Sequence, residues 1–225
     1  MSGMLASVSN LAEARLIETF AVDIIDLKQP TQGALGALPL NSVTDIVAAL
    51  KPETLISATV GDLPMQPQIL TQAVQAMATT GVDFVKIGFF PGGDWQACIN
   101  ELANLAASGR ALIAVLFADT QPDPAIISSL QQAGFRGVML DTMNKSLGSL
   151  TQLMSLSDCK TFVDTAKAAG LLTGLAGSLT QQDIPKLLPL HADYLGFRGA
   201  LCRRHQRTAE LDTEQVAAIR QLLRA

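Results

Sequence analysis

Charge is scarce in this sequence of 225 residues: Asp, Glu, Lys and Arg together make up 16%, against roughly a quarter in an ordinary soluble chain. A surface so poor in ions is expected to hide part of itself in a homo-oligomer. The charge present sums to −4, with a pI near 5.1. That balance offers no general attraction to nucleic acid or to an anionic membrane, both of which favour a basic face, and neither is expected as a partner. Aromatic residues amount to 4%, and Trp95 and Tyr194 fit helix or strand packing rather than a base-stacking platform. Cysteine is short too. Cys98, Cys159 and Cys202 are far apart, odd in number and without a CxxC or His-rich cluster, so they read as reduced thiols and no metal site is expected. The longest apolar run, Ala111 to Ala118, is too short to span a bilayer, and Leu5 to Val8 is too short and lacks the basic flank of a secretory signal. A cytoplasmic location is expected.

Apolar residues, by contrast, are plentiful at 48%, with a mean hydropathy of +0.30, enough to bury one large core as a single domain over residues 1–225. Eight short β-branched or apolar runs begin near Leu5, Val22, Leu55, Asp83, Leu112, Gly137, Leu172 and Tyr194. Each is followed by a segment whose apolar residues fall on one helical face, as with Ile69, Leu70, Ala73, Val74 and Met77. That alternation is the signature of βα units around a parallel sheet. Asp94 before Trp95, Asp123 with Pro124, and Asp212 with Gln215 as a capping box open helices, while Gly81, Gly109, Gly134 and Gly170 end them. Eight units, with no GxGxxG after the first run, predict closure into a (β/α)8 TIM barrel rather than an open dinucleotide-binding sheet. Gly33 and Gly36 read as a turn.

Such barrels take their catalytic groups from the C-terminal ends of strands and the loops that follow. Here the second run reads Asp23-Ile-Ile-Asp26-Leu-Lys28, the fourth Asp83-Phe-Val-Lys86, and the sixth Val138-Met-Leu-Asp141 with Lys145 just beyond. Lys28, Lys86, Lys145, Asp26 and Asp141 therefore converge from even-numbered strands. Desolvation and neighbouring cations lower an amine's pKa toward neutrality, which is what a nucleophilic lysine requires. Asp26, on the same side of the strand as Lys28, is a candidate to shuttle the protons of carbinolamine formation and dehydration. The bland alternatives are a buried Lys28–Asp26 ion pair, a rim salt bridge or phosphate contact for Lys86, and for Asp141 a turn aspartate beside a solvated Lys145. Asp62 and Asp119 read as turn or helix-capping residues.

Barrels of this class frequently bind phosphate with the loops after strands seven and eight. Those ends read Gly174-Leu-Ala-Gly177-Ser178 and Gly196-Phe-Arg198-Gly199-Ala200. Gly177 and Gly199 let backbone N–H groups approach an anion, Ser178 adds a donor, and Arg198 offers a forked cation. Arg203, Arg204 and Arg207 either extend this site or form a solvated basic loop. His191 precedes the last run, at the opposite face, and His205 lies in the arginine-rich loop without a ligand partner, so both are set aside. The chemistry read here calls for no metal or organic cofactor.

The segments Asp23-IIDLK-Gln29-Pro30, Ser57-ATVGD-Leu63-Pro64, Asp83-FVKIG, Met139-LDT, Ala176-GS and Phe197-RGA-Leu201-Cys202 resemble the (5-formylfuran-3-yl)methyl phosphate synthase family, nearly end to end. The resemblance implies a barrel enzyme of furan-ring biosynthesis for methanofuran-type one-carbon carriers. Such an enzyme joins two molecules of glyceraldehyde 3-phosphate with loss of one phosphate and two waters, as a carbon–oxygen lyase with class I aldolase-like chemistry. It also implies that the Schiff-base lysine is Lys28, with Asp26 beside it, that Lys86 is the strand-four lysine, and that Asp141 and Lys145 form the element after strand six. The sequence departs from that pattern after strand five, where Asp119-Thr-Gln-Pro runs almost at once into a helix, and in the glycine-poor loop Arg203-Arg-His-Gln-Arg207. Two other readings fit the same residues: a class I aldolase of another triose phosphate, and a silent barrel that binds a phosphorylated metabolite.

Overall fold

Each of the eight apolar runs forms a strand, and the strands pair in parallel until the last meets the first. In the computed structural model, which describes residues 2–224, the strands are β1 (Gly3–Val8), β2 (Ile24–Leu27), β3 (Ile56–Thr59), β4 (Phe84–Gly88), β5 (Leu112–Phe117), β6 (Gly137–Asp141), β7 (Leu172–Leu175) and β8 (Tyr194–Phe197). They follow one another around a closed barrel in sequence order. The connecting helices are α1 (Leu11–Glu18), α2 (Leu40–Ala49), α3 (Pro67–Ala78), α4 (Trp95–Ala107), α5 (Ile126–Gln132), α6 (Leu150–Leu153), α7 (Leu156–Ala168), α8 (Ile184–Leu187) and α9 (Thr213–Arg224). The (β/α)8 barrel expected from the alternation is the fold observed, and no helix among the described residues is long and apolar enough to cross a membrane.

The helix boundaries rest on local chemistry. Asp94 caps α4 by accepting from the Ala97 N–H at 2.9 Å, and Asp123 accepts from the Ala125 N–H at 2.9 Å just ahead of α5. Gly81, Gly109, Gly134 and Gly170 follow α3, α4, α5 and α7 with positive φ, a conformation that ends a helix at little cost only for glycine. The capping box expected at Asp212 is only half formed. Asp212 accepts from the Glu214 N–H at 3.0 Å and from the Gln215 N–H at 3.4 Å, but the Gln215 side chain accepts from Gln181 at 2.8 Å instead of reaching back. The Asp212 N–H goes to the Leu201 carbonyl at 2.8 Å.

Alternation along the strands separates two cores. Outward residues such as Met4, Ala6, Ile25, Leu27 and Val85 pack beneath the helices, while Leu5, Ile24, Ile113, Val115 and Met139 fill the lumen. At the N-terminal end of the barrel, Asp23, Asp83 and Asp193 accept backbone N–H groups of Met4, Ile56 and Thr173 at 2.7–2.8 Å, lacing neighbouring strands together. Toward the C-terminal end the inward positions change character and become Ser7, Asp26, Ser57, Lys86 and Asp141, all buried. Cys98, Cys159 and Cys202 are buried free thiols.

Candidate active site

The register of the first three strands builds a seat for Asp26. Ser7 pairs with Asp26 and Asp26 with Ser57, so the three side chains point inward at one level. Both hydroxyls donate to the carboxylate, Ser7 at 2.8 Å and Ser57 at 2.7 Å. Lys86 reaches in from β4 and donates to Asp26 Oδ1 at 2.9 Å. Burial alone would raise the pKa of Asp26, whose side chain is wholly enclosed, but the charges of Lys86 and Lys28 and the hydrogen bonds outweigh it and hold the carboxyl below its ordinary value.

A second pair stands across the lumen. Lys145 folds back over Thr142 so that its amine contacts Asp141 Oδ1 and the Thr142 carbonyl, and the Thr142 N–H donates to the same Asp141 oxygen at 2.7 Å. Here too burial would raise the carboxyl pKa, yet Lys145 and then Lys28 draw it down to about 2. Lys145 is partly buried, so the picture of a solvated lysine beside a turn does not apply. The aspartate does bond the backbone of its immediate neighbour.

Lys28 is the lysine left over. It is buried, at 7% exposure, and its amine has no hydrogen-bond or ion-pair partner among the described residues, whereas Lys86 and Lys145 each hold a carboxylate. The Lys28–Asp26 ion pair considered from sequence is replaced by Lys86–Asp26. Burial is the largest influence on Lys28. Attraction to Asp141 and Asp26 opposes it, repulsion from Lys145 and Lys86 adds to it, and the amine falls to about 8 from its ordinary 10.5.

These three lysines and Asp141 open into a cavity of about 320 Å³ whose far wall is the two loops after β7 and β8. Gly177 (φ 108°) and Ser178 (φ 47°) both lie in the left-handed region. A Cβ on Gly177 would come within 2.7 Å of Thr142 Cγ2 and 3.0 Å of its backbone nitrogen, so the loop approaches β6 only with glycine there. Ser178 is exposed at the cavity. No group of three or more His, Cys, Asp or Glu side chains among the described residues is placed to hold a metal ion.

Residues 4–220 match the model of the 4-HFC-P synthase family. The chain belongs to that family. It is 42% identical over 222 residues, 99% of this chain and 92% of the relative, to a Methylorubrum extorquens protein provisionally assigned as (5-formylfuran-3-yl)methyl phosphate synthase. It is 30% identical over 231 residues, 97% of this chain and 98% of the relative, to the (5-formylfuran-3-yl)methyl phosphate synthase of Methanocaldococcus jannaschii. Among solved structures, phosphoribosyl anthranilate isomerase from Thermus thermophilus superposes with a TM-score of 0.69 at 14% identity, over 100% of this chain and 98% of that one. A 3-hexulose-6-phosphate synthase from Salmonella typhimurium gives 0.67 at 17%, over 98% of each chain. At such identities the likeness is one of fold.

In this 4-HFC-P synthase family member, Arg198 stands after β8 where the sequence put it, but with protein partners of its own. It lines the cavity, but all five of its N–H groups are engaged by protein. Nε donates to the Arg207 carbonyl at 2.7 Å, and the two terminal nitrogens donate to both oxygens of Glu13 and to the carbonyls of Ser7 and Ala209. Gly199 supplies clearance: a Cβ there would lie 3.1 Å from the His205 carbonyl oxygen. Asp62 and Asp119 hold neighbouring loops, Asp62 accepting from the Ala34 and Leu35 N–H groups and Asp119 from those of Met143 and Asn144, all at 2.7–2.8 Å.

Sequence reasoning passed over Ser7, Ser57, Glu13 and His205. The serines were visible as polar residues inside apolar runs. Glu13 also accepts from the Ser9 N–H at 2.7 Å, at the start of α1, and reads from sequence as a helix-start acid. His205 lines the cavity mouth after all, whereas His191 is exposed in the turn ahead of β8.

Proposed function

We propose that the chain is a (5-formylfuran-3-yl)methyl phosphate synthase. It would condense two molecules of glyceraldehyde 3-phosphate into 4-(hydroxymethyl)-2-furancarboxaldehyde phosphate, with release of one phosphate and two waters, through a Schiff base on Lys28. The observation that carries this reading is the unpaired Lys28 amine between two lysine–carboxylate pairs. An amine with a pKa near 8 is substantially neutral just above neutral pH, so it adds to an aldehyde carbon, and loss of water leaves an iminium. That cation acidifies the neighbouring C–H. Once its proton is removed, the electron pair can expel the phosphate on the next carbon, which makes the enzyme a carbon–oxygen lyase. Asp26 and Asp141 are the carboxylates within the lumen that can carry protons, and Lys86 and Lys145 orient them and meet developing negative charge. Gly177, Ser178 and Gly199 are read as the backbone and hydroxyl contacts of a phosphate.

The test is product identification. Purified protein incubated with glyceraldehyde 3-phosphate is expected to release inorganic phosphate and a product with the mass and near-ultraviolet absorbance of a furan aldehyde phosphate. A linear aldol product without that absorbance would reassign the chain as a class I aldolase, and no product at all would favour a silent binding barrel.

A further inference from the structure

With Arg198 fully engaged, the cation facing the cavity from the β8 side is a different one. After β8 the chain makes an excursion closed by a bridge between Cys202 and Leu211, and Arg203 N–H donates to the Glu210 carbonyl at 3.0 Å across its base. Arg204 (φ 54°) and His205 (φ 56°) are consecutive non-glycine residues in the left-handed region, a conformation that costs free energy and persists where surrounding contacts enforce it. The enforcing contacts are visible. Arg198 holds the carbonyls of Arg207 and Ala209, and Gly199 leaves room for the His205 carbonyl. The result swings the Arg207 side chain into the cavity wall with Ser178 and Lys28.

Arg207 is half-buried and its side chain makes one hydrogen bond, to the Gly33 carbonyl at 3.0 Å. It has no ion-pair partner among the described residues. The carboxylates whose fields reach it, Asp141 and Asp62, are already taken up, the first by Lys145 and Thr142 and the second by the Ala34 and Leu35 N–H groups. A partly desolvated guanidinium with most of its N–H groups unmatched, beside a cavity, is an anion receptor in want of its anion. We propose that Arg207 binds the phosphate of the substrate, making the excursion after β8 a phosphomonoester subsite, with Arg198 and Glu13 as the scaffold that positions it. The inference deepens the functional reading above, on which its choice of anion rests.

Glycerol 3-phosphate separates the two claims, because it carries the phosphomonoester but no carbonyl and forms no Schiff base. Calorimetric titration should show that the wild-type protein binds it and that Arg207→Gln binds it at least about tenfold more weakly, the loss of one charge-assisted hydrogen bond. Arg207→Lys should recover part of the affinity, and KM for glyceraldehyde 3-phosphate should rise more than kcat falls in Arg207→Gln. Equal affinity of Arg207→Gln and wild type, or no binding of glycerol 3-phosphate to the wild type, would overturn the subsite. Binding that depends on Arg207 while no lysine is labelled by borohydride in the presence of glyceraldehyde 3-phosphate would leave the subsite standing and remove the Schiff base.

Discussion

Lys28, just past the end of β2, and Lys86, on β4, are both buried and both face the same lumen, yet they are placed differently. Lys86 docks on a carboxylate that two serines also hold, so its burial is compensated. Lys28 lies between two such pairs and belongs to neither, so much of its burial goes uncompensated and appears as a pKa of about 8. The difference lies not in residue type or depth but in the charge balance of the lumen: three lysines face two aspartates. The two lysines that dock on the carboxylates decide which amine is left unpaired.

Replacing Lys28 should have the largest effect on chemistry. Lys28→Arg keeps positive charge but lacks a free amine, and turnover should fall by about 10⁴-fold or more while the fold survives. Appreciable activity in that variant would erase the distinction between the two lysines. For stability the order reverses. Lys86→Met leaves Asp26 buried without the cation that docks on it and should destabilise the protein by about 3–5 kcal/mol in denaturant titration. Lys28→Met should do the opposite. Because the amine's pKa is lowered from 10.5 to about 8, the folded chain binds fewer protons than the unfolded chain between those values, and stability rises with pH across that window. Below it the cost of the buried ammonium is fully present, so removing that charge should stabilise by about 3 kcal/mol at neutral pH, a gain that vanishes as pH approaches 10.5. Equal destabilisation by the two methionine variants would contradict the account of Lys28 as uncompensated. The smallest effect is kinetic: kcat/KM should rise with pH, pass half its plateau near pH 8 and level off about one unit above, as the free-enzyme amine loses its proton.

Much of the barrel was legible because its strands are short apolar runs bounded by caps and glycines. The runs expected near Val22 and Leu55 begin as strands at Ile24 and Ile56, and the others agree as closely. The lysines and aspartates stood out for the same reason, as charges at the ends of those runs. Their partners did not. Asp26 and Lys86 are 60 residues apart, and which lysine docks on Asp26 depends on strand register, which a hydrophobic pattern leaves open. Arg198 and Glu13 are separated by 185 residues and meet only because β8 closes against β1. Arg207 and His205 reach the cavity through a loop whose left-handed residues are not glycines, so the usual turn signal is missing there.

The most direct test of the claim that Lys28 is the free amine is borohydride reduction of the wild-type protein with glyceraldehyde 3-phosphate, followed by digestion and mass spectrometry. The account predicts a substrate-derived adduct on the peptide carrying Lys28, with the peptides carrying Lys86 and Lys145 unmodified. An adduct on Lys86 or Lys145 with Lys28 unmodified would contradict it.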